Sequence, residues 1–224
     1  MTKQKNDTKA DWTHPRILNH DTLGAALAEL EEASPTIRRM TELYGAPPAW
    51  RREPGFASLV YTILEQQVSL ASARAVYERL LAIGPITPKK TLELNDSELR
   101  AIGFSRQKIS YCKNLALLVS ENTLDLERLT DLGDESVRST LIAIKGIGPW
   151  TADIYLLHSL GRPDIWPVGD LALRIAAEES LELQHRPTEE ELLEIGEEFR
   201  PWRSVAARVF WHGYLTRRGI SEVD

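Results

Sequence analysis

Apolar residues recur at intervals of three and four along most of the chain, the spacing that places them on one face of a helix. The clearest example is the segment 56–65, where Phe56, Leu59, Val60, Ile63 and Leu64 share one face. No stretch alternates apolar and polar residues as a half-buried strand does. The pattern predicts an all-α fold with helices over residues 21–30, 35–44, 56–65, 69–83, 96–102, 106–121, 126–130, 134–144, 150–160, 169–179, 188–199 and 201–217.

Short polar residues predict where several of these helices begin. Asp21 and Ser34 are expected to cap the first two helices with their side-chain oxygens. Thr188, with a glutamate three residues later, has the spacing of a capping box. In the helix over 69–83, the buried stripe is expected to include Leu70 and Leu81. We expect residues 1–15 to form a disordered tail and residues 16–224 to form one helical domain.

Composition narrows the class of protein. A chain of 224 residues with 42% hydrophobic content can bury a core as one large or two small helical units. The single cysteine, Cys112, excludes a disulfide within this chain. The N-terminus has no apolar signal region, and no apolar run reaches the length of a membrane span. We therefore expect a cytoplasmic monomer without a membrane partner, associated with the nucleoid if the protein is bacterial.

The charge is unevenly distributed along the chain. The net charge of −6 argues against an anionic partner, but residues 178–198 hold nine glutamates, whereas residues 199–220 hold no acid. That second segment carries Arg200, Arg203, Arg208, Arg217 and Arg218. The separation predicts a basic C-terminal helix over 200–218 that contacts nucleic acid, with Arg203 among the contacts. Alternatively, the glutamates lie on a solvated face while the arginine stems cover the core.

Two glycines separate consecutive predicted helices in the segment 134–160. Residues 145–149 read KGIGP, a tight turn that leaves backbone N–H groups unshielded. The second helix begins directly behind the turn, so its positive dipole end points the same way and favours a phosphate. The expected phosphate contacts are Lys145, Gly146, Ile147, Gly148 and Thr151. The alternative is a plain turn between two core helices, since two such glycines alone are a weak signal.

The residues around this turn make the signal more specific. Ile144 precedes the glycines, the sequence PWTA follows them, and Asp170 lies twenty residues after Trp150. This set resembles the helix-hairpin-helix, glycine/proline-rich loop and aspartate signature (HhH-GPD) of the base excision DNA glycosylases. Trp150 and the segment 200–211, which ends in Trp211, resemble the AlkA-type 3-methyladenine glycosylases in particular. The resemblance covers roughly residues 56–218.

The resemblance implies a fold and an activity. The fold is two helical subdomains with a cleft between them, in a short form without the N-terminal α/β domain of the longest relatives. The activity is base excision repair of double-stranded DNA that contains alkylated bases such as 3-methyladenine. An iron–sulfur cluster, which some relatives carry on four cysteines, is excluded within this chain by its single cysteine.

Asp170 is the expected catalytic residue. Hydrolysis of an N-glycosidic bond develops positive charge at the sugar, and a fixed carboxylate stabilises that oxocarbenium-like state. Asp170 occupies the aspartate position of the resembled signature and is also expected to cap the helix that follows it. Asp153 and Asp164 are nearby alternatives.

Trp150 predicts both the reaction type and the substrate pocket. Relatives that also cut the strand place a nucleophilic lysine here, so a tryptophan implies base release without lyase activity. An indole also attracts a cationic alkylated base through cation–π contact. The resemblance implies a base pocket with Trp150 and Trp211, and with Tyr155 or its neighbour Ile154, the position at which the family has a tyrosine.

The loop over residues 65–69 is expected to supply the wedge that fills the duplex when a nucleotide is flipped out. Gln67 is the expected wedge and Gln66 its neighbour, although both could simply end a helix. The resemblance also implies a sodium or potassium ion on the carbonyls of Ile142, Ile144 and Ile147, with no other cofactor required.

Two other functional classes remain open at this point. Helix-hairpin-helix units also occur in noncatalytic DNA-binding proteins, which need neither Asp170 nor an aromatic pocket. The negative net charge favours a helical scaffold that binds protein, but this leaves the glycine turn, Trp150 and Asp170 without a role. A glycosylase with another base specificity is the remaining alternative, since the sequence does not rank the lesions.

Overall fold

The computed structural model describes residues 17–220 and places twelve α-helices and no strand there. The all-α prediction is confirmed, and the predicted tail over 1–15 lies outside the described residues. None of the described helices has the length and apolar character that crossing a membrane requires. The helices are α1 (His20–Ala33), α2 (Pro35–Tyr44), α3 (Phe56–Glu65), α4 (Leu70–Ile83), α5 (Pro88–Glu93), α6 (Asp96–Ala101), α7 (Arg106–Ser120), α8 (Asp134–Ile142), α9 (Pro149–Ile154), α10 (Leu171–Ser180), α11 (Glu189–Glu197) and α12 (Arg203–Arg217).

The helices pack in two groups, as predicted. Helices α1, α2, α10 and α12 contact one another, so the two ends of the chain build one group together. Helices α3 to α7 build the other group, and α8 and α9 join it because α9 packs on α3. One continuous hydrophobic core runs through both groups.

Most predicted helix bounds agree with the structure within two residues, but some local predictions were wrong. Asn19, not Asp21, caps α1, because Asn19 and Thr22 exchange side-chain and backbone hydrogen bonds. Ser34 precedes α2, but its hydroxyl donates to Glu198 instead of accepting from the helix. The capping box between Thr188 and its glutamate is confirmed. The pattern did not predict α5, and the segment 126–130 proved to contain a 3-10 turn (Arg128–Asp131).

Helix α4 shows why a hydrophobic stripe overestimates burial. Leu70 and Leu81 are exposed by 45% and 48%, so their predicted place on the buried stripe was wrong. Ala73 and Leu80 on the same helix are buried. Helix α4 therefore packs along a narrow line, and apolar residues beside that line remain at the surface.

The predicted helix over 150–160 is α-helical only to Ile154. Residues Tyr155–Ser159 form a π-helical turn, in which the Leu160 N–H donates to the Tyr155 carbonyl five residues earlier. Such a turn shifts the faces of the helix that follow it and is frequent at functional sites. Here it places His158 beside the C-terminal helix α12.

Candidate active site

Asp170 joins the two groups of helices. It caps α10, where Oδ1 accepts the Leu173 N–H at 2.7 Å. The same oxygen accepts the Trp211 indole N–H at 3.0 Å, and Oδ2 accepts the Trp150 indole N–H at 2.7 Å. Trp150 belongs to α9 and Trp211 to α12, so two indoles from different groups fix one partly exposed carboxylate.

The charge of Asp170 is not neutralised by any cation among residues 17–220, which sets it apart from its two rivals. Asp153 pairs with Arg138 at 2.7 Å, and burial raises the pKa of Asp153. Asp164 pairs with both Arg200 and Arg203, each at 2.7 Å. Both rivals are buried and serve as ion-pair partners. Of the three aspartates, Asp170 is therefore the one whose carboxylate has no cationic partner among residues 17–220.

His158 extends the aromatic surface behind Trp211. The two rings stack with centroids 5.6 Å apart and an interplanar angle of 20°. His158 Nδ1 lies 2.7 Å from the Trp50 carbonyl, to which its N–H donates. Burial lowers the pKa of His158 well below its usual range, so the ring is neutral. Trp211 thus lies against an uncharged ring, and His158 adds no positive charge that could pair with the Asp170 carboxylate.

The prediction that Tyr155 or Ile154 lines the pocket was wrong. Tyr155 is fully buried, and its hydroxyl accepts the Gly55 N–H at 3.0 Å. Ile154 is only 4% exposed and belongs to the core. Tyr155 begins the π-helical turn and its hydroxyl bonds the residue that caps α3, so both side chains support the site from the interior.

Besides His158, three residues near the site were missed by the sequence analysis. Trp50 has a φ of 44°, a left-handed conformation that is rare for a bulky residue and clusters at functional sites. Arg52 forms a bidentate ion pair with Glu65 and lies over the ring of Tyr61. Trp50 and Arg52 precede the segment that carries the resemblance. Glu65 could have been found, because it is the one acid at the end of an otherwise apolar helix.

The two hairpin glycines have different roles. Gly146 has a φ of +96°, and a side chain there would overlap the Tyr111 ring, so the fold itself requires this glycine. A Cβ at Gly148 would meet no atom within 4 Å, so the fold leaves that position open. Neither glycine N–H has an acceptor among residues 17–220. The Ile147 N–H, by contrast, donates to the Ile144 carbonyl at 3.0 Å and is therefore already paired within the hairpin.

Gln66 connects the predicted wedge loop to the hairpin. Its Nε2 donates to the Gly146 carbonyl at 2.8 Å and to the Thr151 hydroxyl at 3.0 Å. Thr151 is 2% exposed, so its side chain is an interior partner of Gln66. Gln67 is exposed and has a φ of 57°. The loop therefore presents Gln67 outward while Gln66 fixes the spacing between loop and hairpin.

Most arginines of the predicted basic C-terminal helix form ion pairs within the protein, and these include Arg203, the predicted DNA contact. Besides the two arginines that pair with Asp164, two more, Arg217 and Arg218, both pair with Glu179. Arg208 is 1% exposed and donates only to backbone carbonyls. These cations stabilise the fold, because each lies against an acid or inside the core. Near the hairpin, Lys145 is exposed.

Comparisons with known proteins agree on one family. The model of the HhH-GPD superfamily of base excision DNA repair proteins matches residues 60–201. A putative DNA-3-methyladenine glycosylase of Bacillus subtilis is 32% identical over 158 residues, which are 66% of this chain and 55% of that protein. DNA-3-methyladenine glycosylase 1 of Schizosaccharomyces pombe is 27% identical over 190 residues, or 83% of each chain. The chain thus spans little more than half of the Bacillus relative.

Solved structures show the same likeness in three dimensions. The 3-methyladenine DNA glycosylase of Schizosaccharomyces pombe in complex with abasic DNA matches with a TM-score of 0.77 at 27% identity, over 87% of this chain and 97% of that one. The DNA-3-methyladenine glycosidase of Bacillus halodurans matches with a TM-score of 0.71 at 30% identity, over 87% and 91%.

Proposed function

Because this chain belongs to the HhH-GPD superfamily of base excision DNA repair proteins, we propose that it is a DNA glycosylase that releases alkylated bases from double-stranded DNA. The observation that carries this proposal is Asp170, an unneutralised carboxylate fixed by two indole N–H groups at the junction of the two helix groups. The relatives described as 3-methyladenine glycosylases support the substrate class.

The geometry supports an electrostatic mechanism. Alkylation at a purine ring nitrogen leaves the base cationic and makes it a good leaving group. A flipped cationic base is attracted to the face of an indole, and the half-buried Trp150 offers one, while Trp211, 8% exposed and stacked on His158, lies behind it as a second bond donor to Asp170. As the glycosidic bond breaks, positive charge moves to the sugar, where the Asp170 carboxylate stabilises it and orients the attacking water.

The hairpin and the wedge loop hold the DNA in this proposal. The N–H groups of Gly146 and Gly148, which have no acceptor among residues 17–220, donate to a DNA phosphate, and the exposed Lys145 adds a favourable charge. Gln67 enters the duplex at the site of the flipped nucleotide, where its amide can bond the orphaned base. Gln66 holds this wedge loop at a fixed distance from the hairpin, because its amide bonds both Gly146 and Thr151.

We propose that a monovalent cation, sodium or potassium, binds the hairpin carbonyls. The Ile144 carbonyl accepts one N–H and keeps a second lone pair, and the carbonyls of Ile142 and Ile147 flank the same turn. Oxygen donors of this kind suit a hard cation. No group of three or more His, Cys, Asp or Glu side chains in the described part of the chain could hold a metal ion. When bound, the cation would supply positive charge for a DNA phosphate.

The proposed enzyme releases the base without cutting the strand. Trp150 stands at the position of the amine nucleophile in relatives with lyase activity, and an indole cannot form a Schiff base. With a duplex that holds a single 7-methylguanine, we expect an intact strand with an abasic site, cleaved only after alkali is added. Borohydride should trap no covalent protein–DNA adduct. An adduct that forms with the wild type and is lost in Lys145→Ala would contradict the proposal.

A further inference from the structure

A buried ion pair lies beside the proposed base pocket. Glu65 Oε1 is 2.6 Å from Arg52 Nη2, and Glu65 Oε2 is 2.8 Å from Arg52 Nη1. The Glu65 side chain is 6% exposed and that of Arg52 is 23% exposed. The Arg52 guanidinium also lies 4.4 Å from the centroid of the Tyr61 ring. The pair is therefore desolvated on the Glu65 side and reaches the surface on the Arg52 side.

Two sets of bonds place this pair next to the site. The Arg52 N–H donates to the His158 carbonyl at 3.0 Å, and the His158 ring stacks on Trp211, which bonds Asp170. On the other side, Glu65 precedes Gln66, whose amide bonds Thr151 beside Trp150. The Arg52–Glu65 pair thus connects His158, which contacts Trp211, with Gln66, which bonds Thr151 next to Trp150.

The surroundings of His158 are rich in positive charge. Arg208 is buried behind it, donates to the Leu157 carbonyl at 3.0 Å, and has no carboxylate partner among residues 17–220. Arg51 and Arg52 add two more cations close enough to lower the pKa of His158. Glu65 is the carboxylate that neutralises Arg52. Loss of the Glu65 charge would therefore leave Arg52 as an additional unpaired cation beside His158, the ring that stacks on Trp211.

We propose that Glu65 determines the charge preference of the base pocket: by neutralising Arg52, it allows a cationic alkylated base to occupy a site that has three arginines around the neighbouring His158. The inference rests on the proposed glycosylase function. A neutral damaged base meets little resistance from an unpaired guanidinium, whereas a cationic base is repelled, and a water-poor site strengthens the repulsion. Glu65 acts through Arg52, so it is a positioning and charge-setting residue.

The test compares two lesions in the same duplex, 7-methylguanine as the cationic base and ethenoadenine as the neutral one. Glu65→Gln keeps the shape of the side chain and removes its charge. We expect the ratio of kcat/KM for the cationic lesion to that for the neutral lesion to fall about tenfold. The double variant Arg52→Gln/Glu65→Gln, which removes both charges, should return the ratio to within about threefold of the wild type.

The two lesions can also be compared by their Kd values, measured with the same variants in an Asp170→Asn background. Slow excision of one lesion then does not prevent the comparison. If the pair has a purely structural role, Glu65→Gln would weaken the binding and excision of both lesions alike and leave the ratio unchanged. That result would overturn the inference. That outcome differs from failure of the proposed function, in which the wild-type protein would release neither base.

Discussion

Asp170→Asn is expected to lower the rate of base release by about a thousandfold, because it removes the carboxylate that stabilises the developing charge at the sugar. The amide oxygen can still accept the Leu173 N–H, so the cap of α10 is retained. The amide NH2 cannot accept the Trp150 N–H, so we expect a small loss of affinity for lesion DNA, below about tenfold. Single-turnover release of 7-methylguanine with enzyme in excess measures the rate, and titration of the same duplex measures the affinity.

Asp164→Asn is the matched control for this prediction. It makes the same carboxylate-to-amide change at the rival aspartate, which pairs with Arg200 and Arg203. Loss of that charge should lower the thermal midpoint, because it leaves two guanidinium groups without their acid, while the rate of base release stays within about tenfold of the wild type. A near-normal rate in Asp170→Asn, or a larger loss in Asp164→Asn, would show that Asp170 is not the catalytic carboxylate.

Gly148→Val is expected to weaken binding to lesion DNA and to undamaged DNA equally, by about a hundredfold. The valine side chain would project into the open space in front of the hairpin and keep a phosphate away from the backbone N–H groups. Hydrogen bonds to a charged group contribute about 1.5–3 kcal/mol each, so the loss of one or two accounts for this factor. Affinities for both duplexes at the same salt concentration provide the measurement.

The chain offers a suitable control at another glycine. Gly133 also has negative φ and open space around its would-be Cβ, but it lies at the other end of α8. Gly133→Val should leave DNA binding near the wild-type value. Gly146→Val is not an equivalent test, because its positive φ and the Tyr111 ring make it disrupt the fold. A loss in Gly148→Val that is confined to one lesion would refute the phosphate contact.

The sequence predicted those parts of the site that are formed by helices and turns consecutive in the chain. The glycine turn, Trp150 and Asp170 are arranged by consecutive elements, and the helix periodicity predicted those elements correctly. The roles of the C-terminal arginines were not predictable in this way, because Arg203 meets Asp164 only after α12 packs against the loop before α10. Their partners lie far away in the sequence, so a cluster of arginines could not be distinguished from a DNA-binding surface.

The pocket residues show a second limit. Tyr155 lies one position from the expected tyrosine, begins the π-helical segment and is fully buried in the core. No periodicity rule predicts such a turn. The Trp50 carbonyl is bonded by His158, which lies 108 residues later in the chain. Only the tertiary structure shows that Trp50 is therefore close to the site.

Hydrolysis of the bond between an alkylated base and DNA is tested most directly by detecting the released base. Excess protein is incubated with a duplex that contains a single 7-methylguanine, and the small-molecule fraction is then measured by mass spectrometry. We expect free 7-methylguanine in an amount equal to the abasic sites formed, and none with Asp170→Asn within the same time. If the protein binds this duplex tightly but releases no base, it is a noncatalytic helix-hairpin-helix DNA-binding protein, and Asp170 has no catalytic role.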